Sequence, residues 1–151
     1  MIQRIQTVFL LAAAALTGSL FFLDLATLGT DQYKLIYRGI YSLTEADSAV
    51  VIPTIALAIL VTTATLVGLI TIFLFKKRMI QIRLCGLNLG LLLGTTVMIY
   101  FLGHQGGKEL AADVSYHLPM VFPLIAMVMT FLAMRAIGKD EALVKSMNRI
   151  R

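Results

Sequence analysis

Three side chains in this 151-residue sequence could do chemistry within or beside apolar runs: Asp24, His104 and His117. Asp24 is the only acid inside an apolar block, and an intramembrane carboxylate is a functional candidate by default. A carboxylate and two imidazoles together can relay protons or bind a metal. Two readings of Asp24 stand: a proton or cation site, or a hydrogen-bonded side chain at the interface, since it lies a turn or so from the end of its block. His104 and His117 flank the segment GHQGGKELAADVSYH with twelve residues between them, which is neither a helical i, i+4 pair nor a known ligand spacing. Paired haem ligation needs both rings deep in facing helices, and these two lie at the rim. We therefore expect no metal and no cofactor. A small transporter, channel or ion-coupled component using Asp24 with His104 or His117 remains the alternative to a purely structural role.

Other chemistries find no support in the pattern. The chain has one cysteine, Cys85, so an intramolecular disulfide, a CxxC pair and a cysteine zinc cage are excluded. It reads as a small apolar residue near a helix end. There is no phosphate-binding glycine loop, no Ser–His–Asp arrangement and no HExxH, so an enzyme is not expected. The net charge of +5 does not point to nucleic acid, because the basic residues form no patch interleaved with aromatics.

The elements that carry these residues are apolar blocks. Hydrophobic residues make up 59% of the chain and charged ones 14%, against roughly 25% charged in an ordinary soluble domain. The apolar residues gather into blocks at about 5–28, 50–75, 84–103 and 117–137, followed by a basic tail, 138–151. About 20 residues of helix cross the ~30 Å hydrocarbon layer, and a spanning segment must satisfy its own backbone hydrogen bonds. The expectation is an all-α integral membrane protein, a single antiparallel bundle of four transmembrane helices. The first block opens like a secretory signal, but its apolar run continues past Thr17-Gly18-Ser19 through LFFLDLATL. That exceeds a 7–15-residue signal core, so a retained span is expected.

Flanking charge orients the blocks. Arg4, Lys76, Lys77, Arg78, Arg83, Arg135, Lys139, Lys145, Arg149 and Arg151 fall on one side, which is ten of the thirteen basic residues. Lys34, Arg38 and Lys108 fall on the other, with Asp31, Glu45, Asp47, Glu109 and Asp113. The positive-inside rule then places both termini in the cytoplasm. Lys76, Lys77 and Arg78, with Lys145, Arg149 and Arg151 of the tail, are candidates for contact with the inner leaflet or a cytoplasmic partner.

Packing should come from small residues, because lipid gives helices no hydrophobic reason to associate. Gly86, Gly90 and Gly94 form a stripe on the third block, with Asn88 and Thr95 on nearly the opposite face; an amide does not suit acyl chains, so this block is expected to have neighbours on both sides. Thr7, Ala14 and Gly18 align on the first block, and Thr54, Ala58, Thr62, Thr65 and Gly68 on the second. Pro119, Pro123, Ala126, Thr130 and Ala133 align on the fourth. These stripes are expected to hold the bundle together, or in part to receive a partner or a second copy. Pro53 and Pro119 suit first helical turns, and Pro123 is expected to kink the fourth helix. In the segment TDQYKLIYRGIYSLTEAD, Tyr33, Leu35, Tyr37, Tyr41 and Leu43 fit a half-buried strand. The three tyrosines also fit one helical face, and either form suits the headgroup region.

The two ends of the chain, MIQRIQTVFLLAAA and PLIAMVMTFLAMRAIGKDEALVKSMNRIR, resemble a bacterial inner-membrane family catalogued as domain of unknown function 4293. The sequence departs from that pattern at Asn148, where the family carries an acid. The resemblance implies a four-helix inner-membrane protein with a basic cytoplasmic tail, and it brings no catalytic residues with it. The combined expectation is a non-enzymatic accessory or structural subunit, with the bilayer and other membrane subunits or further copies of itself as partners.

Overall fold

A computed structural model of the chain describes residues 2–29, 33–42, 50–75 and 77–148. Four α-helices are present among them: α1 (Ile2–Ser19), α2 (Ile55–Phe73), α3 (Arg78–Glu109) and α4 (Phe122–Asn148). Three of the apolar stretches, Ile55–Phe73, Arg78–Glu109 and Leu118–Val144, are long and apolar enough to cross a membrane. The chain is not all-α. Five short strands form an antiparallel sheet: β1 (Ala26–Leu28), β2 (Tyr33–Ile36), β3 (Gly39–Ser42), β4 (Val50–Pro53) and β5 (Val114–Tyr116), in the order β4-β3-β2-β1-β5.

The first expected span, 5–28, is thereby corrected. The α1 helix stops at Ser19, where the Thr17 and Ser19 hydroxyls donate to carbonyls of the preceding turn and Gly18 adds backbone freedom. Single-turn bonds from Leu20, Phe21 and Phe22 back to Thr17, Gly18 and Ser19 then turn the chain out of the helix. Leu25 and Leu28, which looked like the last helical turn, instead lie buried under the sheet. The Leu25 amide donates to the Leu35 carbonyl at 2.8 Å, and the Leu25 carbonyl accepts from the His117 amide at 3.0 Å. Residues 50–53, expected to open the second span, form β4. The tyrosine segment resolves as a strand pair, β2 and β3, turning at Tyr37-Arg38.

Each helix packs on its neighbours in the chain, and α1 closes the ring against α4. The sheet lies at the C-terminal ends of α1 and α3 and the N-terminal ends of α2 and α4, so successive helices run in opposite directions. Buried positions recur with alternating steps of three and four on all of them: Gln6, Leu10, Ala13 and Thr17 on α1, and Leu57, Val61, Ala64, Gly68 and Thr71 on α2. The series on α3 is Gln81, Cys85, Asn88, Leu92, Thr95 and Ile99; on α4 it is Ala126, Thr130, Ala133 and Ile137. A 3.5-residue repeat keeps one seam facing inward when helices cross at a shallow angle.

Pro123 is the second residue of α4, not a turn further in, so its missing N–H removes no helical hydrogen bond; the single 3₁₀ turn Leu118–Val121 precedes it. The tail continues as α4 to Asn148 rather than starting a separate segment.

Candidate functional site

The three candidate side chains lie at the sheet end of the molecule, where the His117 amide donates to the carbonyl of Leu25, the neighbour of Asp24. Asp24 lies outside any helix and pairs with Lys34, Oδ2 to Nζ at 3.0 Å, with both side chains about 40% exposed. His104 and His117 are exposed. The His104 ring stacks on Tyr100 at 6.3 Å between centroids, and Tyr100 stacks on Tyr116 at 6.0 Å. Tyr116 donates to the Tyr100 carbonyl at 3.2 Å, and burial, then the neighbouring Tyr100, raise its phenol above the ordinary range. Among the described residues no cluster of His, Cys, Asp and Glu is suited to a metal.

The glycine stripe on α3 requires a correction. Gly86 and Gly90 face outward, and a Cβ added at either would meet nothing within 4 Å; at Gly94 it would make only ordinary contact with Leu60 Cδ2 at 3.7 Å. The reason is register. A 3.5-residue repeat containing Cys85, Asn88, Leu92 and Thr95 puts the expected opposite face inward, and the glycines follow it out. Asn88 and Thr95 do pack inside, Asn88 lying beside Gly68 and near Ala14. Asn88 Oδ1 is buried with no donor among the described residues. Ala14, Ala126 and Thr130 are buried as expected. Gly18 and Ala58 are only half-buried, and Thr62 is exposed, its hydroxyl bonded to the Ala58 carbonyl at 2.7 Å. Thr17, Thr71, Thr95 and Thr130 likewise donate to carbonyls three or four residues back, so their hydroxyls are spent within their own helices.

The close approach that glycine permits occurs elsewhere, at Gly103, Gly106 and Gly107. A Cβ on Gly103 would lie 2.7 Å from Tyr116 Cε1, one on Gly106 2.5 Å from Ile40 Cδ1, and one on Gly107 2.5 Å from Val114 Cγ2. These glycines seat the sheet on the last turns of α3. The crowding of GHQGG at a helix end was the available signal, since a span has little reason to finish on three glycines.

At the opposite end, a second polar group was not anticipated. Gln6 Nε2 donates to the Asp140 carboxylate at 2.6 Å, Arg78 Nη1 to the Asp140 carbonyl at 3.4 Å, and Gln81 Nε2 to the Thr71 carbonyl at 3.1 Å. These bonds tie α1, α2, α3 and α4 together where the basic residues collect. Lys77 is exposed there and Arg78 half-buried. Lys76, Arg149 and Arg151, and the side chain of Lys145, lie outside the described residues.

A helical protein with three stretches able to cross a membrane and a small sheet over one end is the class that this architecture defines. Residues 2–150 match the family model for Domain of unknown function (DUF4293), and the chain belongs to that family. No curated protein matches the sequence.

Proposed function

We propose that the chain is a non-enzymatic integral protein of the bacterial inner membrane, a four-helix antiparallel bundle with both termini cytoplasmic, serving as an accessory or structural subunit of a larger membrane assembly. The apolar lengths of the helices and the basic residues at the end away from the sheet support the location and the orientation. The observation that carries the accessory role is an outward groove between α3 and α4. It has a volume of about 450 Å³ and is lined by Leu89, Gly90, Leu93, Met127, Val128 and Phe131.

Lipid tails are served equally well by leucine, so small residues on an outer face favour a closely packed neighbour. The neighbour is another membrane subunit or a second copy, and nucleic acid is not a partner. The test is affinity isolation in a mild detergent followed by mass spectrometry, with Gly90→Phe as the comparison. A discrete partner recovered in fixed ratio with the parent chain, and lost from a folded Gly90→Phe, is the expected result. Recovery of the parent chain as a lone monomer contradicts the proposal.

A further inference from the structure

The end of the helices away from the sheet holds a different kind of hollow. Its volume is about 470 Å³, within the range of ligand sites, roughly 300–1,000 Å³. One part of its lining is polar: Gln6 and Gln81, 7% and 5% exposed, and the half-buried Arg78. The other part is apolar and open to the outside: Val8, Leu11 and Phe75. Both amides are already fixed, Gln6 by the Asp140 carboxylate and Gln81 by the Thr71 carbonyl. The polar floor is thus rigid before any ligand arrives.

Depth decides what such a hollow meets. The α2 helix has 19 residues, so at ~1.5 Å per residue it roughly matches the hydrocarbon layer. Gln81 is level with Thr71 in the last turns of α2, and Arg78 is about one turn further out. The apolar wall therefore borders acyl chains while the guanidinium reaches the headgroup level. Lys77, exposed and next to Arg78 in the chain, adds positive charge. Two acids lie close by: Asp140, whose carboxylate accepts from Gln6 and whose carbonyl accepts from Arg78, and Glu141, which lines an adjoining hollow with Lys77 and Arg78.

We propose that this hollow holds one anionic phospholipid, its phosphate on the Arg78 guanidinium and an acyl chain along Val8, Leu11 and Phe75. Guanidinium presents paired donors that match phosphate geometry, and basic pockets between membrane helices on the cytoplasmic side suit anionic headgroups. The apolar wall selects a lipid over a free anion. The inference rests on the membrane reading, not on the accessory role, and a lone monomer that retains lipid would leave it standing.

The test is native mass spectrometry of the full chain, purified in mild detergent, delipidated, and mixed with equal amounts of phosphatidylglycerol and phosphatidylcholine of the same acyl chains. The expected result is a single retained phosphatidylglycerol favoured by about fivefold or more, undisturbed by excess inorganic phosphate. A folded Arg78→Gln should lose the preference. Leu11→Trp, which fills the apolar side and leaves the charge in place, should reduce retention of both lipids and decides the matter if Arg78→Gln does not fold. Equal retention of the two lipids by the parent chain, displacement by inorganic phosphate, or unchanged retention in either folded variant overturns the proposal.

Discussion

Individual residues divide sharply between those whose type matters and those that merely look suspicious. Asp24 is the only acid in an apolar run, yet in the structure it forms an exposed ion pair with Lys34. Such pairs contribute roughly 0–1 kcal/mol and weaken with salt. Asp24→Asn should therefore lower stability by less than about 1 kcal/mol, as read from thermal unfolding in detergent. The glycines allow a paired prediction. Gly86→Ala meets open space and removes a flexible helical position, so it should be neutral or stabilising by up to about 1 kcal/mol. Gly107→Ala forces a methyl against Val114 and to 3.1 Å from the Ala112 carbonyl oxygen, so it should destabilise by about 1–3 kcal/mol. Thermal unfolding of the two variants side by side tests the assignment, and the reverse order would restore the stripe on α3 as the packing face.

At the scale of elements, the long apolar helices were legible because length and hydropathy alone define them. Their ends were not. A run such as LFFLDLATL is apolar whether it lies in lipid or beneath a sheet, and only the pairing of β1 with β2 and β5 distinguishes the cases. Strands of three or four residues leave too short an alternation to read, although the tyrosine segment showed period two. The inward face of α3 was only half legible: Asn88 and Thr95 marked it, while the glycines marked a face that lies outward, and Leu occurs all round the helix. The cap of α3 yields its own prediction. Ala112 N–H donates to the Gly107 carbonyl at 3.0 Å and Ala111 N–H to Lys108 at 3.4 Å, a closure that places Ala111 at φ 46°. A non-glycine residue there carries strain of about 1–2 kcal/mol, partly offset by the greater freedom of an unfolded glycine. Ala111→Gly should stabilise the chain by up to about 1 kcal/mol, measured as a rise in Tm.

For the whole molecule, the two ends of the helices differ in kind. One end carries the sheet, seated on Gly103, Gly106 and Gly107, with the tyrosine and histidine rings at its rim. The other carries the basic residues and the hydrogen bonds that converge on Asp140 and Thr71. The charge asymmetry was plain in the sequence; the structural asymmetry was not, because the bonds among Gln6, Arg78 and Asp140 join residues far apart in the chain. An account in which the sheet faces outward and the basic end faces the cytoplasm is tested most directly by thiol labelling. With Cys85 replaced by alanine, Ser115→Cys reports on β5 and Ser146→Cys on the tail, both exposed positions. In right-side-out membrane vesicles, a membrane-impermeant maleimide should label Ser115→Cys and spare Ser146→Cys until the membrane is permeabilised. Labelling of the tail position in sealed vesicles, or recovery of the chain in the soluble fraction without detergent, would contradict it.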